Sequence, residues 1–422
     1  MQARTARVGL GVVLISLSVT LLLGLLLKTQ PVVHGGQLRA PCAEGDWADL
    51  KQYRHLCYSD IVPLYYTEQL QGGRVPFVDA CKPIAGQNCD EYPVVTMLAM
   101  YVTALPVSTA ASFLYSNVFL LSVAAVVVAV GLYLLVGTRA LWFALAPTLL
   151  IYGFMNWDLL AVALATAATV AFLRRRDVAT GVLLGLGTAA KLYPVLLLVP
   201  FVAERFRERK PDDAIHLTWA AVGTWLVVNV PFALLGPHGW TEFFRFNSNR
   251  VADWDSLWFI GCQRLAHATS CLSPSTVNVA SLAVFVGLAA LVWWLRLRSD
   301  PQFPRWTFGL PLLILFLLTN KVYSPQYGLW LLPWFALALP RLGPLPPLGL
   351  FALFEAADIS VFVTRFSWFG RYAGASGAPL GAFELAVLIR AAVLVAVLVA
   401  WVRHRPPALD AEAGAVPQEV AA

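Results

Sequence analysis

The run VGLGVVLISLSVTLLLGLLL, residues 8–27, carries no charged residue. A helix rises about 1.5 Å per residue, so a run of this length crosses the roughly 30 Å hydrocarbon core of a bilayer. Lipid offers no hydrogen-bond partners, and backbone groups must therefore be paired within the segment, which selects helix over open strand. Arg4 and Arg7 precede the run as in a signal peptide, but no clear small-residue cleavage site follows. We read it as a retained signal anchor with its N-terminus inside, which puts the polar stretch 28–93 outside. The remainder repeats the pattern. Of 422 residues 59% are hydrophobic and 13% charged, and the mean hydropathy is +0.69. That excludes an ordinary soluble globule and makes the fold class all-α, a polytopic integral membrane protein.

A net charge of +6 might suggest nucleic acid, but the basic residues form short clusters between apolar runs. Arg4 with Arg7, Arg174 to Arg176, Arg205 to Lys210, Arg296 to Arg305 and Arg403 to Arg405 give the positive-inside pattern, which assigns all five clusters to the cytoplasm. Nucleic-acid binding is not expected. The six cysteines fall in two loops on the opposite side: Cys42, Cys57, Cys81 and Cys89 in the first, Cys262 and Cys271 in a later one. Even numbers in each loop fit disulfides in an oxidising compartment outside a plasma membrane. Short spacing favours Cys81 with Cys89 and Cys262 with Cys271, leaving Cys42 with Cys57, against the plainer reading of buried thiols. No Cys-x-x-Cys or Cys/His spacing points to zinc, and no metal or cofactor is expected.

Along the chain, Tyr58 to Leu70 reads as a short amphipathic helix at the membrane surface, with Ser59 as cap and Gly72-Gly73 as stop. Tyr92 to Leu105 is apolar but short, and counting it as a crossing would reverse the charge bias downstream; a re-entrant or interfacial helix is expected. Phe113 to Val136 crosses inward to Arg139. Two hairpins follow, Leu141 to Gly153 with Trp157 to Leu173, and Val178 to Ala190 with Leu192 to Ala203. His216 to Leu235 leads out to a second outer loop, 236–274, and Val277 to Leu295 returns. A third hairpin pairs Thr307 to Thr319 with Gly328 to Leu339, before Leu345 to Val363 and Phe383 to Val402. This makes about twelve crossings, one domain over 1–403, both termini cytoplasmic, and a tail over 404–422 whose Pro, Ala and acidic residues read as disordered. Several hairpin arms hold only about a dozen residues, short of the roughly 20 that a bilayer demands. Their polar tips are therefore expected to end below the outer surface and floor a water-filled cavity.

The tips carry Asn156-Trp157-Asp158, Lys191-Leu192-Tyr193-Pro194 and Asn320 to Tyr327. Leaving Asp158, Lys191 or Lys321 in lipid costs about 2.5–3.5 kcal/mol each on insertion scales, so these groups should face a cavity or a partner. The plainer reading is snorkelling to water, which three tips together make less economical. The chemistry suggested is substitution at a carbon bearing a phosphate leaving group. Lysines neutralise charge on the departing phosphate while a carboxylate takes a proton from the attacking hydroxyl, with no metal required. In the first loop Asp60, within Ser59-Asp60-Ile61, stands where water meets membrane and is the leading catalytic residue. HExxH and phosphate-cradling glycine loops are absent, and Asp90-Glu91 alone is weak evidence for a cation site.

Asp60, Tyr66, Gly72, Pro76-Phe77 and Glu91-Tyr92-Pro93, taken in order, resemble the first-loop signature of the membrane-embedded GT-C glycosyltransferases, in particular glycosyltransferase family 87. Asn156-x-Asp158, Ala190-Lys191-Leu192-Tyr193-Pro194 and Ser324-Pro325-Gln326-Tyr327 resemble its later motifs. Phe77 stands where the family usually has Tyr, and Val94 where it has a second Pro, departures expected to bear on substrate more than fold. The resemblance implies transfer of a sugar, typically mannose, from a polyprenyl-phosphate donor to a glycolipid or glycan acceptor on the outer face, with inversion. It makes Asp60 the general base and assigns Lys191 and Lys321 to the donor phosphate. Tyr92, Asn156, Asp158, Gln326 and Tyr327 would hold sugar hydroxyls, with Tyr193 beside them in its motif and the lipid tail between helices.

Glu91 is the rival base, its plainer reading being a solvated acid at a helix start. Asp79, Asp253 and Asp255 read as loop charges. Glu355, Asp358 and Arg390 lie within the last two apolar segments, as an internal ion pair or an acceptor site. A pentosyltransferase is the alternative within the same chemistry. A lipid or glycolipid flippase is the alternative from another class, but its site would have to open to both sides, whereas these tips all lie on one.

Overall fold

The structure, a computed structural model, describes residues 2–45, 47, 49–84 and 88–405. Most of the tail read as disordered, from 406 onward, lies outside the described residues. Helices dominate. Among the described residues strands occur only as a short antiparallel pair, Val32–His34 with Gln37–Arg39, at the start of the first loop.

Among the described residues six helices are long and apolar enough to cross a membrane: Gly9–Thr29, Ala110–Ala144, Pro211–Leu235, Pro274–Ser299, Pro347–Tyr372 and Leu380–Arg403. The expectation of about twelve crossings counted each hairpin arm as a span; length and composition support six. The arms form as short helices, Pro147–Tyr152 with Asp158–Leu173, Asp177–Ala190 with Leu198–Arg207, and Gly309–Thr319 with Leu332–Ala338. Their bases are tied together. Arg205 donates to Asp177 at 2.7 Å and to the Phe172 carbonyl at 2.8 Å, and the Arg305 backbone N–H donates to Glu204. Arginines thus gather at one end of the hairpins and the polar tips at the other.

Close packing sets the second hairpin against Pro211–Leu235. A Cβ at Gly181 would stand 2.3 Å from the Leu217 carbonyl oxygen, and one at Gly185 would stand 2.5 Å from that of Ala221. Two glycines four residues apart let the backbones touch, the small-residue solution for helices that cannot rely on a hydrophobic effect in lipid.

The first loop is folded onto the tips. Its short helix Ile61–Thr67 buries Ile61, Val62 and Tyr65, and Tyr65 stacks on Phe113 with ring centroids 4.9 Å apart. This corrects the surface placement: one face packs against the bundle. Ser59 accepts from the Ile61 N–H at 3.3 Å and donates to the Phe154 carbonyl at 2.8 Å, while the Asp60 N–H donates to the Met155 carbonyl at 2.8 Å. Val94–Ala104 is one short helix with Met97 and Met100 fully buried, and its Thr96 donates to the Ala190 carbonyl at 2.7 Å. It is therefore wedged among helices as well as being short. Disulfides join Cys42 to Cys57, Cys81 to Cys89 and Cys262 to Cys271.

Candidate active site

The three tips, the first loop and the loop region 236–274 line a cavity of about 810 Å³. Asp60, Glu91, Tyr92, Asn156, Lys191, Tyr193, Lys321, Gln326 and Tyr327 all reach it, although they are drawn from more than 260 positions of sequence. Asp60 is fixed on both oxygens. The Tyr58 hydroxyl donates to Oδ1 at 2.7 Å, and Asn156 Nδ2 donates to Oδ2 at 2.8 Å. Asn156 Nδ2 also lies 2.8 Å from the Tyr92 hydroxyl oxygen, so one buried amide joins the first hairpin tip to both sides of the first loop. Each carboxylate oxygen retains a lone pair for an incoming hydroxyl. Burial and the neighbouring Asp60 hold the Tyr58 hydroxyl well above its usual titration range, which keeps it a donor.

Asp158 is the main correction among the proposed sugar contacts. It is fully buried beneath the cavity, with Oδ2 accepting from Lys191 at 2.9 Å and Oδ1 from the Trp330 indole at 2.7 Å. It does not line the cavity, so it holds Lys191 in place and does not meet a sugar. The Lys191 ammonium in turn lies 5.7 Å from the Tyr92 ring and 5.2 Å from the Tyr327 ring. Trp330 continues the aromatic wall, stacking on Tyr193 at 4.2 Å and on Tyr327 at 4.0 Å.

In the cavity lining Lys321 donates to the Arg250 carbonyl and, at 3.4 Å, to that of Ser248. Arg250 also reaches the cavity and pairs with Asp253 at 2.8 Å. Lys321 is pushed down to about 8 by burial and by the adjacent Arg250, which leaves it mostly cationic at neutral pH. Lys321, held by carbonyls, and Arg250, paired with Asp253, bring two cationic side chains to one cavity, which suits a bound anion. Asp253 and Asp255 are not plain loop charges: both are buried, and Asp255 accepts from Arg365 at 3.0 Å.

Glu91 faces the cavity half-buried. Burial raises it to about 7, Arg250 opposing and Glu242 adding to the shift. Among the described residues no donor holds its carboxylate, so it lacks the fixed geometry of Asp60. Asp90 does not join it in a cation site: it is buried and accepts from Arg74 at 2.7 and 3.1 Å and from the Phe77 N–H at 3.0 Å. Among the described residues no three His, Cys, Asp or Glu side chains cluster as a metal would need. Phe77 and Val94 lie outside the main cavity, Phe77 packing on Phe232 at 5.3 Å, so these two departures concern packing. Glu355, Asp358 and Arg390 form a separate internal knot, with Arg390 donating to Asp358 at 3.1 Å and Thr148 to Glu355 at 2.8 Å and to Asp358 at 3.1 Å; none of the three reaches the cavity. Sequence reasoning missed Tyr58, Lys28, Arg250 and Arg365. Tyr58, two residues before the leading acid and beyond the reach of helix periodicity, was the most findable.

Comparison with known proteins places this geometry in a family. The model of glycosyltransferase family 87 matches residues 91–320, more than half of the chain. Two crystal structures of ArnT from Cupriavidus metallidurans, one bound to undecaprenyl phosphate and one in the apo state, align over 93% of this chain and 77% of theirs. Their identities are 13% and 12%, each with a TM-score of 0.45. No curated protein matches. Its apolar helices, the cavity at the hairpin tips and the match over residues 91–320 agree: this chain is a membrane glycosyltransferase and belongs to glycosyltransferase family 87.

Proposed function

We propose that this enzyme transfers mannose from a polyprenyl-phosphate donor to a glycolipid or glycan acceptor, on the extracytoplasmic face of the plasma membrane and with inversion. The observation that carries the proposal is one cavity lined by both a carboxylate fixed on both oxygens and the Lys321–Arg250 cation pair. In a single displacement the acceptor oxygen bonds to the anomeric carbon as the bond to the phosphate oxygen breaks. Asp60 takes the acceptor proton and the polyprenyl phosphate leaves with the electron pair. Charge on that phosphate is met by Lys321 and Arg250, with Lys191 nearer the sugar between the Tyr92 and Tyr327 rings. Asn156, Tyr92, Gln326 and Tyr327 supply the hydrogen-bonding edge that a sugar needs. Lipid tails reach such a site from the bilayer between helices, which suits a cavity floored by short arms.

Purified protein in vesicles without an ion gradient, supplied with radiolabelled polyprenyl-phosphate mannose and an acceptor lipid, tests this. Labelled acceptor is the expected result. Transfer from the pentose donor alone would replace mannose by arabinose, and movement of labelled lipid across the vesicle without sugar transfer would favour a flippase.

A further inference from the structure

Lys28 ends the first membrane helix, Gln2–Thr29, and is completely buried. Its ammonium donates to the Tyr58 carbonyl at 2.6 Å and lies 5.3 Å from the Phe362 ring, and among the described residues no carboxylate stands within 4 Å of it. A buried cation with one carbonyl and a ring for company is costly unless an anion acts on it from further out. Asp60 is the acid connected to it. The two are joined through Tyr58, which accepts from Lys28 with its carbonyl and donates to Asp60 with its hydroxyl. The Tyr58 ring cannot drift, since it stacks on Phe366 at 5.2 Å and Tyr53 at 6.2 Å and meets Trp47 at 5.7 Å.

We propose that Lys28 and Tyr58 are positioning residues for the base, a relay from the first membrane helix that aims the Asp60 carboxylate at the acceptor hydroxyl. This rests on Asp60 being the base. Other charged or titratable groups also act on Asp60: Tyr92 from the first loop, Asp158 from the first hairpin and Lys191 from the second, with Arg365 acting on Tyr58. Asp158 and Lys191 are paired with one another, which leaves Lys28 as the buried cation near Asp60 that has no carboxylate of its own.

The test is kcat and donor KM for sugar transfer, measured for the full-length enzyme in vesicles. Lys28→Gln and Tyr58→Phe should each lower kcat about tenfold with donor KM nearly unchanged, and Lys28→Arg should restore kcat. A kcat like that of wild type, or a loss of kcat matched by a rise in donor KM, would overturn the relay, since a merely structural role predicts the second result. Should Lys28→Gln fail to accumulate in the membrane, Tyr58→Phe, which keeps the ring and its packing, decides by itself. Asp60→Asn separates the two readings. If it is inactive while kcat is unchanged in the other variants, only the relay fails; if it remains active, the base assignment itself fails.

Discussion

Asp60 and Lys321 make different demands on substitution because one acts on a proton and the other on a charge present throughout the reaction. The donor phosphate is anionic in the ground state and gains further charge as it leaves, so Lys321→Met should raise donor KM and slow transfer together. Losing one charged hydrogen bond of about 1.5–3 kcal/mol corresponds to roughly a 10- to 100-fold effect; a KM within twofold of wild type would remove Lys321 from the phosphate. Glu91 carries a pH signature of its own. Its folded-state value of about 7 lies above an unfolded value of about 4.3, so the native protein binds the extra proton. Stability from that group is complete below the unfolded value and is lost as pH rises through 7. The melting temperature in detergent should therefore fall between about pH 4.5 and 7, and Glu91→Gln should flatten the fall; equal slopes for both proteins would contradict the burial seen at Glu91. At this scale the sequence marked most of the cavity, because charged residues in apolar surroundings are visible without coordinates. It could not show which carboxylate faces inward. Asp158 and Asn156 are two residues apart, yet one lies under the floor and the other on it.

The short hairpins owe their register to contacts between elements, and those contacts are where substitution should be felt. Gly181→Ala places a methyl group where the Leu217 carbonyl already stands, so Asp177–Ala190 and Pro211–Leu235 must separate. A loss of about 1–3 kcal/mol is expected, read as a lower melting temperature in detergent, and an unchanged value would mean that the helices do not pack as closely as described. The outer loops depend on their cross-links. In the chain-entropy account the Cys42–Cys57 loop, with a separation of 15 residues, restricts the unfolded chain by about 3 kcal/mol. Reduction should expose the first loop to proteolysis before the helices yield, and free thiols found by mass spectrometry at both Cys42 and Cys57 would rule that bridge out. Arm lengths made the hairpins legible from sequence. The burial of Ile61–Thr67 was not, because Tyr65 and Phe113 stack across 48 positions and no local period records such a pairing.

Across the whole molecule, charge and chemistry lie at opposite ends of the hairpins, an arrangement already readable from where arginines and cysteines fall. The number of crossings was less readable, since a dozen apolar residues look alike whether they span or stop halfway. Sidedness follows as an experiment in intact cells. A cysteine introduced at Arg175 or Lys210 should be silent to an impermeant thiol reagent, whereas one introduced at Lys82, beside the first-loop disulfide, should react. Labelling at position 175 would invert the orientation proposed for the enzyme. The mechanism itself turns on one carboxylate that keeps its shape and loses its basicity on conversion to an amide. Donor binding and sugar transfer should therefore be measured side by side for wild type and Asp60→Asn, purified and reconstituted with polyprenyl-phosphate mannose. General-base catalysis predicts transfer lower by about 10²–10⁴-fold with donor affinity retained; near-normal transfer by Asp60→Asn, with Glu91→Gln inactive, would move the base to Glu91 and contradict the mechanism proposed for this site.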